Sequence, residues 1–109
     1  MGRGAGPARH ELPAVDEAAL AAARNADQLL AYARDRGVSR WAEFLGPMPD
    51  LLREATLPDL AATARKARSA YGARDSIRDS LPLELTDPFR DSIDRLLKTI
   101  ARETAEPRD

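Results

Sequence analysis

Cysteine is absent from this 109-residue chain, and histidine occurs only once. Without cysteine there is no disulfide, no thiolate nucleophile and no cysteine-ligated zinc. The single histidine, His10, lies among glycines, prolines and arginines, where nothing holds it beside a nucleophile. Phosphate-binding loops, nucleophile elbows and calcium loops are also missing from the sequence. We therefore expect a protein that is not an enzyme and that binds neither a cofactor nor a metal.

Long apolar runs and an excess of one charge are missing as well. No segment approaches the roughly 18 apolar residues of a membrane span, and the first residues lack the apolar stretch of a secretory signal. The 17 basic and 18 acidic residues leave a net charge of −1, which does not favour nucleic acid as a partner. We expect a cytoplasmic protein, and the richness in Ala, Arg and Asp is typical of a GC-rich bacterial genome.

What the chain does contain is apolar residues at helical spacing. They mark three longer segments: Val15, Ala19, Ala22, Ala26, Leu29 and Ala33; Leu57, Leu60, Ala61, Ala64, Ala67 and Tyr71; and Phe89, Ile93, Leu96, Leu97 and Ile100. The pattern predicts an all-α, single compact domain of five to six helices, three longer and two to three short, with no sheet. We expect residues 1–13 to form a disordered Gly/Pro/Arg-rich tail, residues 14–103 the helical domain, and residues 104–109 a frayed C-terminus.

Start and stop signals separate these helices. Gly37 supplies a left-handed stop for the first helix, and Ser39 is a candidate cap for the short helix that follows it. Thr56 is a candidate cap for the next long helix, with Pro58 in its first turn. We expect residues 81–85 to be an extended connector and the last helix to begin at Thr86 or Asp87, with Pro88 in its first position.

Large apolar side chains are concentrated between residues 41 and 52. Two short helices cannot hide all of them on one side, so some must be core and others are candidates for a surface that binds a partner. The candidate partner-binding residues are Trp41, Phe44, Met48, Leu51 and Leu52, followed by Leu83 and Leu85 from the connector. Because much of the remaining apolar content is alanine, which buries little area, a partner or a second copy would add useful burial.

The segment from Ala33 to Leu45 resembles the turn of a helix-turn-helix DNA-binding motif. A small residue, the turn glycine Gly37 and a following hydrophobic residue are present, whereas Glu43 and Gly46 stand where the motif has buried aliphatic residues. The resemblance implies a short recognition helix in the major groove, with three arginines near phosphates or bases: Arg34, Arg36 and Arg40.

Positive charge is locally concentrated further along the chain, at Arg65, Lys66, Arg68, Arg74 and Arg78. Cations are favoured in the last turns of a helix by its dipole, and a phosphate-binding patch is the alternative interpretation. Taken together, the sequence predicts a non-catalytic protein–protein interaction or regulatory module that binds another protein or associates with itself. A helix-turn-helix-like DNA-binding regulator is the alternative.

Overall fold

The computed structural model describes residues 8–72 and 74–105 of the chain. These residues form an all-α domain without strands, which confirms the predicted fold class. The six α-helices of this part of the chain are α1 (Pro13–Asp35), α2 (Ser39–Leu45), α3 (Met48–Glu54), α4 (Leu57–Arg68), α5 (Ile77–Ser80) and α6 (Leu83–Thr104). Two short 3-10 helices accompany them, Arg9–Glu11 before α1 and Ser69–Tyr71 after α4.

Helix α1 is the centre of the domain and packs against α6, α3 and α2. Its buried residues include the alanine stripe predicted from the sequence, with Ala19, Ala22 and Ala26 fully buried. Because alanine side chains are short, the neighbouring helices approach α1 closely. Large apolar residues from the other helices fill the core around it: Leu45, Met48, Leu52, Leu60, Ile77, Phe89, Ile93 and Leu96.

Polar contacts fix how the long helices pair. The amide nitrogen of Asn25, in the middle of α1, donates to the hydroxyl of Ser92 at 3.1 Å and to the carbonyl oxygen of Pro88 at 3.3 Å. On the other side of α6, the Arg68 guanidinium of α4 donates to Asp94 at 2.8 Å. These side-chain hydrogen bonds connect α6 to α1 on one side and to α4 on the other.

The turn after α1 forms as the sequence predicts. Gly37 adopts a φ of 69°, the left-handed conformation that costs glycine least. The backbone N–H of Val38 donates to the carbonyl oxygen of Ala33 at 2.8 Å, and that of Gly37 donates to Arg34 at 3.2 Å. These two hydrogen bonds together form a Schellman motif, which satisfies carbonyl groups that the helix end leaves unpaired.

The predicted side-chain caps are only partly correct. Ser39 is the first residue of α2 rather than its cap, and its side chain makes no capping hydrogen bond. Thr56 does occupy the N-cap position of α4, with Pro58 in the first turn, but its hydroxyl makes no capping bond either. A capping box forms instead at Ser76, whose hydroxyl accepts from the N–H of Arg78 at 3.1 Å.

The predicted connector at residues 81–85 is wrong in its second half. Only Leu81 and Pro82 are extended, and Leu83 begins α6, so that Pro88 lies inside the helix rather than at its start. The carbonyl oxygen of Pro82 accepts from both Leu85 and Thr86 N–H groups at 3.0 Å, which starts the helix early. Pro88 deprives the Glu84 carbonyl of its usual partner, a loss that water can compensate because Glu84 is exposed.

The ordered domain also begins earlier than predicted. Residues 1–7 of the predicted tail lie outside the described residues, but Arg9–Glu11 is helical and α1 starts at Pro13. Arg9 explains this order, because its guanidinium donates to the carbonyl oxygens of Leu52 at 2.8 Å and Ala55 at 3.1 Å and pairs with Asp16 at 3.0 Å. At the other end α6 continues to Thr104, and residues 106–109 of the predicted frayed terminus are outside the described residues.

Candidate binding cleft

The predicted partner-binding residues between 41 and 52 divide into a buried and an accessible group. Trp41, Met48 and Leu52 are 4%, 1% and 0% exposed, so all three are core residues, and of these three Trp41 also lines the cleft described below. Met48 and Leu52 are four residues apart and share the inner face of α3, which packs on α1. Phe44 is partly buried, and Leu51 is 41% exposed because it points away from that inner face.

The second pair of predicted anchors lies in the first turn of α6. Leu83 is 48% exposed, and Leu85 is partly buried against the core. Because they belong to a helix and not to an extended connector, they occupy different sides of that helix. Leu83 is accessible to a partner, whereas Leu85 mainly closes the core.

The predicted DNA-binding arginines flank the turn at Gly37, and all three are exposed. The Arg36 guanidinium lies over the Tyr32 ring at 4.9 Å, and that of Arg40 lies over the Trp41 ring at 4.6 Å. Arg34 is on the last turn of α1. The helix that follows the turn, α2, has seven residues and buries Trp41 and Leu45, so its exposed surface is short.

A cleft of about 480 Å³ opens beside α2, a size within the roughly 300–1,000 Å³ range of ligand pockets. One wall comes from α2 and the other from the segment that joins α4 to α5. The residues that line it are Arg40, Trp41, Glu43, Phe44, Ser69, Ala70, Arg74 and Asp75. The structure thus brings two predicted anchors and one predicted DNA-binding arginine together with residues some thirty positions away in the sequence.

Aromatic rings and cations form the α2 wall. The Trp41 and Phe44 rings meet edge to face, with centroids 5.3 Å apart and an angle of 85° between their planes. Each ring also carries a cation, because Arg40 covers Trp41 and the Lys66 amine lies 5.8 Å from the Phe44 centroid. Each such cation–ring contact contributes about 0.5–1 kcal/mol at an exposed site, which favours one position for a long, flexible side chain.

The opposite wall is shaped by the backbone around Asp75. Asp75 has a φ of 49°, in the left-handed region that aspartate tolerates better than most residues. The chain then enters α5 through the Ser76 capping box, in which the N–H of Ser76 donates to Asp79 at 3.1 Å. Ile77 is fully buried and anchors this segment in the core. Arg74 and Asp75 are therefore held at the edge of the cleft by a fixed turn.

The charged groups around the cleft are not paired with one another. Ion pairs among residues 8–72 and 74–105 involve neither Arg40, Lys66 nor Arg74, and neither Glu43 nor Asp75. The indole N–H of Trp41 is buried and has no acceptor among the same residues. An unpaired buried donor costs about 1–3 kcal/mol, and this cost falls in the core, because Trp41 is only 4% exposed.

A second cleft of about 480 Å³ lies between α1 and α6 and differs in character. Its charged residues are three acids and three bases: Glu17, Asp91, Asp94, Arg95, Lys98 and Arg102. It has no aromatic residue, and Asp94 is already paired with Arg68. This composition is that of an ordinary solvated helix surface. The cleft beside α2 is the stronger candidate for a binding site.

Metal-binding clusters of three or more His, Asp or Glu side chains are not found in the part of the chain that the structure describes. None of the described helices is both long and apolar enough to cross a membrane. Comparison with protein families, with curated proteins and with solved structures finds no match to this chain.

Of the cleft residues, the sequence pointed to Trp41 and Phe44 as apolar anchors and to Arg40 as a cation. It did not place Ser69, Ala70, Arg74 and Asp75 opposite them, because these approach α2 only through the packing of α4. The signal available in the sequence was the basic cluster that includes Lys66 and Arg74. Its members separate in the structure: Arg68 pairs with Asp94 and Arg78 with Asp87, Arg74 lines the cleft, and the Lys66 amine lies near the Phe44 ring.

Proposed function

We propose that this protein is a non-catalytic binding module that engages another protein through the cleft beside α2. The observation that carries the proposal is the combination of an edge-to-face aromatic wall with cations that have no carboxylate partner in the described residues. Aromatic residues and arginines of this kind dominate the energetics of protein interfaces. The absence of cysteine is consistent with a cytoplasmic protein and the richness in Ala, Arg and Asp with a bacterial one, and we include both in the proposal.

Affinity capture with matched variants tests this function. The bait is the full chain, compared with Arg40→Glu/Arg74→Glu, which reverses two cleft charges, and with Arg24→Glu, an exposed position of α1 outside this cleft. We expect a protein from nuclease-treated native lysate to be retained by the wild type and by Arg24→Glu and to be lost from the double variant. Equal retention on all three baits would place the interaction elsewhere on the surface.

A DNA-binding regulator remains the second candidate. The observation that favours it is the left-handed turn at Gly37, which places the exposed Arg34 and Arg36 beside the start of α2. Such binding would weaken steeply with salt, because it depends on phosphate contacts. Capture that disappears after nuclease treatment, and a duplex affinity that falls in Arg34→Glu/Arg36→Glu, would favour this candidate over the binding module.

Self-association is the other way in which the module could bury apolar surface. Leu51 and Leu83 are exposed leucines that a second copy would cover. Sedimentation over a range of concentrations measures this directly. If the protein dimerises through these leucines, Leu51→Glu/Leu83→Glu should be monomeric at concentrations where the wild type is not.

A further inference from the structure

We propose that α6 has two start points and that its first residues, 83–87, form an entry segment that opens and closes while the rest of the domain stays folded. The boundary of the entry segment is Pro88, which lies inside α6. Because proline has no N–H, Pro88 cannot donate to the carbonyl oxygen of Glu84, and its ring crowds the turn before it. One helical hydrogen bond is therefore missing where the entry segment joins the rest of α6.

The chain carries a second helix start that the closed entry segment does not use. Thr86 and Asp87 directly precede Pro88, and proline is favoured at the first position of a helix, behind an N-cap of this residue type. In the closed form each of the two side chains has a buried oxygen without a hydrogen bond among the described residues: the Thr86 hydroxyl and Oδ1 of Asp87, which lies 3.4 Å from Nε of Arg78. In the open form α6 begins at Pro88, and the Asp87 carboxylate accepts from backbone N–H groups of the new first turn.

The entry segment contributes little to the core. Thr86 is the only one of its five residues that is buried, and Leu83 is 48% exposed. Beyond Pro88 the helix is anchored by Phe89 and Ile93, which are fully buried. Local opening costs least where few apolar contacts are lost, so the entry segment detaches while α6 from Pro88 onward stays packed.

A hydrogen bond from Tyr71 connects the entry segment to the cleft beside α2. The Tyr71 hydroxyl donates to the carbonyl oxygen of Thr86 at 2.5 Å. Tyr71 belongs to the same 3-10 helix as Ser69 and Ala70, which line the cleft. Opening of the entry segment therefore removes one support from that wall of the cleft, whatever the cleft binds.

Native-state hydrogen exchange of the full chain, followed by NMR at low urea concentrations, tests this opening. The amide of Thr86 reports on the entry segment, because it donates to the Pro82 carbonyl oxygen at 3.0 Å in the closed form. The amide of Leu60 is the matched probe, since it occupies the same position in α4 and donates to Thr56 at 2.7 Å. We expect the protection factor of Thr86 to be at least tenfold below those of Leu60 and Ile93 and to change little with urea, as in a local opening.

Two variants distinguish a second helix start from simple fraying of a helix end. Asp87→Ala removes the cap of the open form, so it should raise the protection factor of Thr86 relative to that of Ile93 about fivefold, the usual effect of a lost cap. Arg78→Ala removes the same ion pair and keeps the carboxylate, so it is the matched control and should not raise this ratio. Circular dichroism verifies that each variant is folded.

The outcomes decide between the two forms without involving a partner, so the proposed function is tested separately. Protection of Thr86 that equals that of Ile93 and falls with urea in parallel would overturn the proposal, because residues 83–87 would then open only in global unfolding. An unchanged or lower ratio in Asp87→Ala would also overturn it, since no second start would exist at Pro88. A ratio that rises in Asp87→Ala and not in Arg78→Ala would support it.

Discussion

The hydroxyl of Tyr71 donates a hydrogen bond to the backbone carbonyl oxygen of Thr86 at 2.5 Å. This bond joins the 3-10 helix after α4 to the first turns of α6, next to the proline inside that helix. Thr86 is fully buried, and its own hydroxyl oxygen has no partner among the described residues. The Thr86 carbonyl oxygen is therefore hydrogen-bonded, whereas the Thr86 hydroxyl is not. Removing the Tyr71 hydroxyl should destabilise the domain, and removing the Thr86 hydroxyl should stabilise it.

Tyr71→Phe should destabilise the domain by about 1 kcal/mol, because it removes one intramolecular hydrogen bond and keeps the ring in place. Equilibrium urea unfolding of the two proteins measures the difference. Tyr32→Phe is the matched control, since the Tyr32 hydroxyl makes no hydrogen bond with the described residues and its loss should change the free energy of unfolding little. Equal stabilities of wild type and Tyr71→Phe would contradict the importance of the bond.

The same variant predicts a dependence on pH. Burial raises the pKa of Tyr71, so the folded protein holds this proton more tightly than the unfolded chain does. The resulting stabilisation is complete below the unfolded pKa of about 10 and is lost as the pH rises through the higher folded pKa. The stability difference between wild type and Tyr71→Phe should therefore narrow above about pH 10. A difference that widens there would contradict the direction of the shift.

Thr86→Val should stabilise the domain by about 1 kcal/mol. The two side chains have nearly the same shape, so the change removes an unsatisfied buried hydroxyl without opening a cavity. Thr99→Val is the matched control on the same helix: Thr99 is also buried, but its hydroxyl donates to the Arg95 carbonyl at 2.7 Å. Thermal and urea unfolding should show a gain for the first variant and none for the second.

Arg9→Ala should cost about 2 kcal/mol, because charge-assisted bonds to two carbonyl oxygens at the end of α3 are lost together with the pair to Asp16. The Arg9 side chain is only 10% exposed, so its stabilising effect should persist at high salt. Arg102→Ala, at a surface position with a 67% exposed side chain, is the control and should change stability little. Urea unfolding of the wild type, Arg9→Ala and Arg102→Ala at low and high salt measures these differences in stability.

Gly37→Ala should destabilise the domain by about 1 kcal/mol through backbone strain alone. A Cβ at this position meets nothing within 4 Å, but the φ of 69° is unfavourable for a side chain. Gly37→Asn should cost less, because asparagine tolerates the left-handed region. Gly46 is the reverse case: its right-handed backbone accepts a side chain without strain, but an added Cβ would lie 3.3 Å from the Ala42 carbonyl oxygen. The unfolding midpoint should be highest for the wild type, lower for Gly37→Asn and lowest for Gly37→Ala.

Local chemistry explains which features the sequence could predict. The Gly37 turn and the helical stripes depend on residues within a few positions of each other, and they form as expected. The early start of α6 and the order around Arg9 were missed, because they depend on contacts with distant backbone, such as Arg9 with Leu52. The same applies to the cleft: Trp41 and Phe44 were candidates from their own segment, whereas Arg74 reaches them only through the tertiary fold.

Met48 and Leu51 provide the sharpest test of the division between core and surface. Both were candidate anchors from the sequence, yet Met48 is 1% exposed and Leu51 is 41% exposed on the same short helix. Met48→Glu places an uncompensated charge in the core and should cost about 3–5 kcal/mol, a large part of the stability of a domain of this size. Leu51→Glu leaves its side chain in water and should unfold at nearly the wild-type urea concentration. If Met48→Glu stayed as stable as Leu51→Glu, α3 would not be packed on α1 as described, and the assignment of Met48 to the core would have to be abandoned.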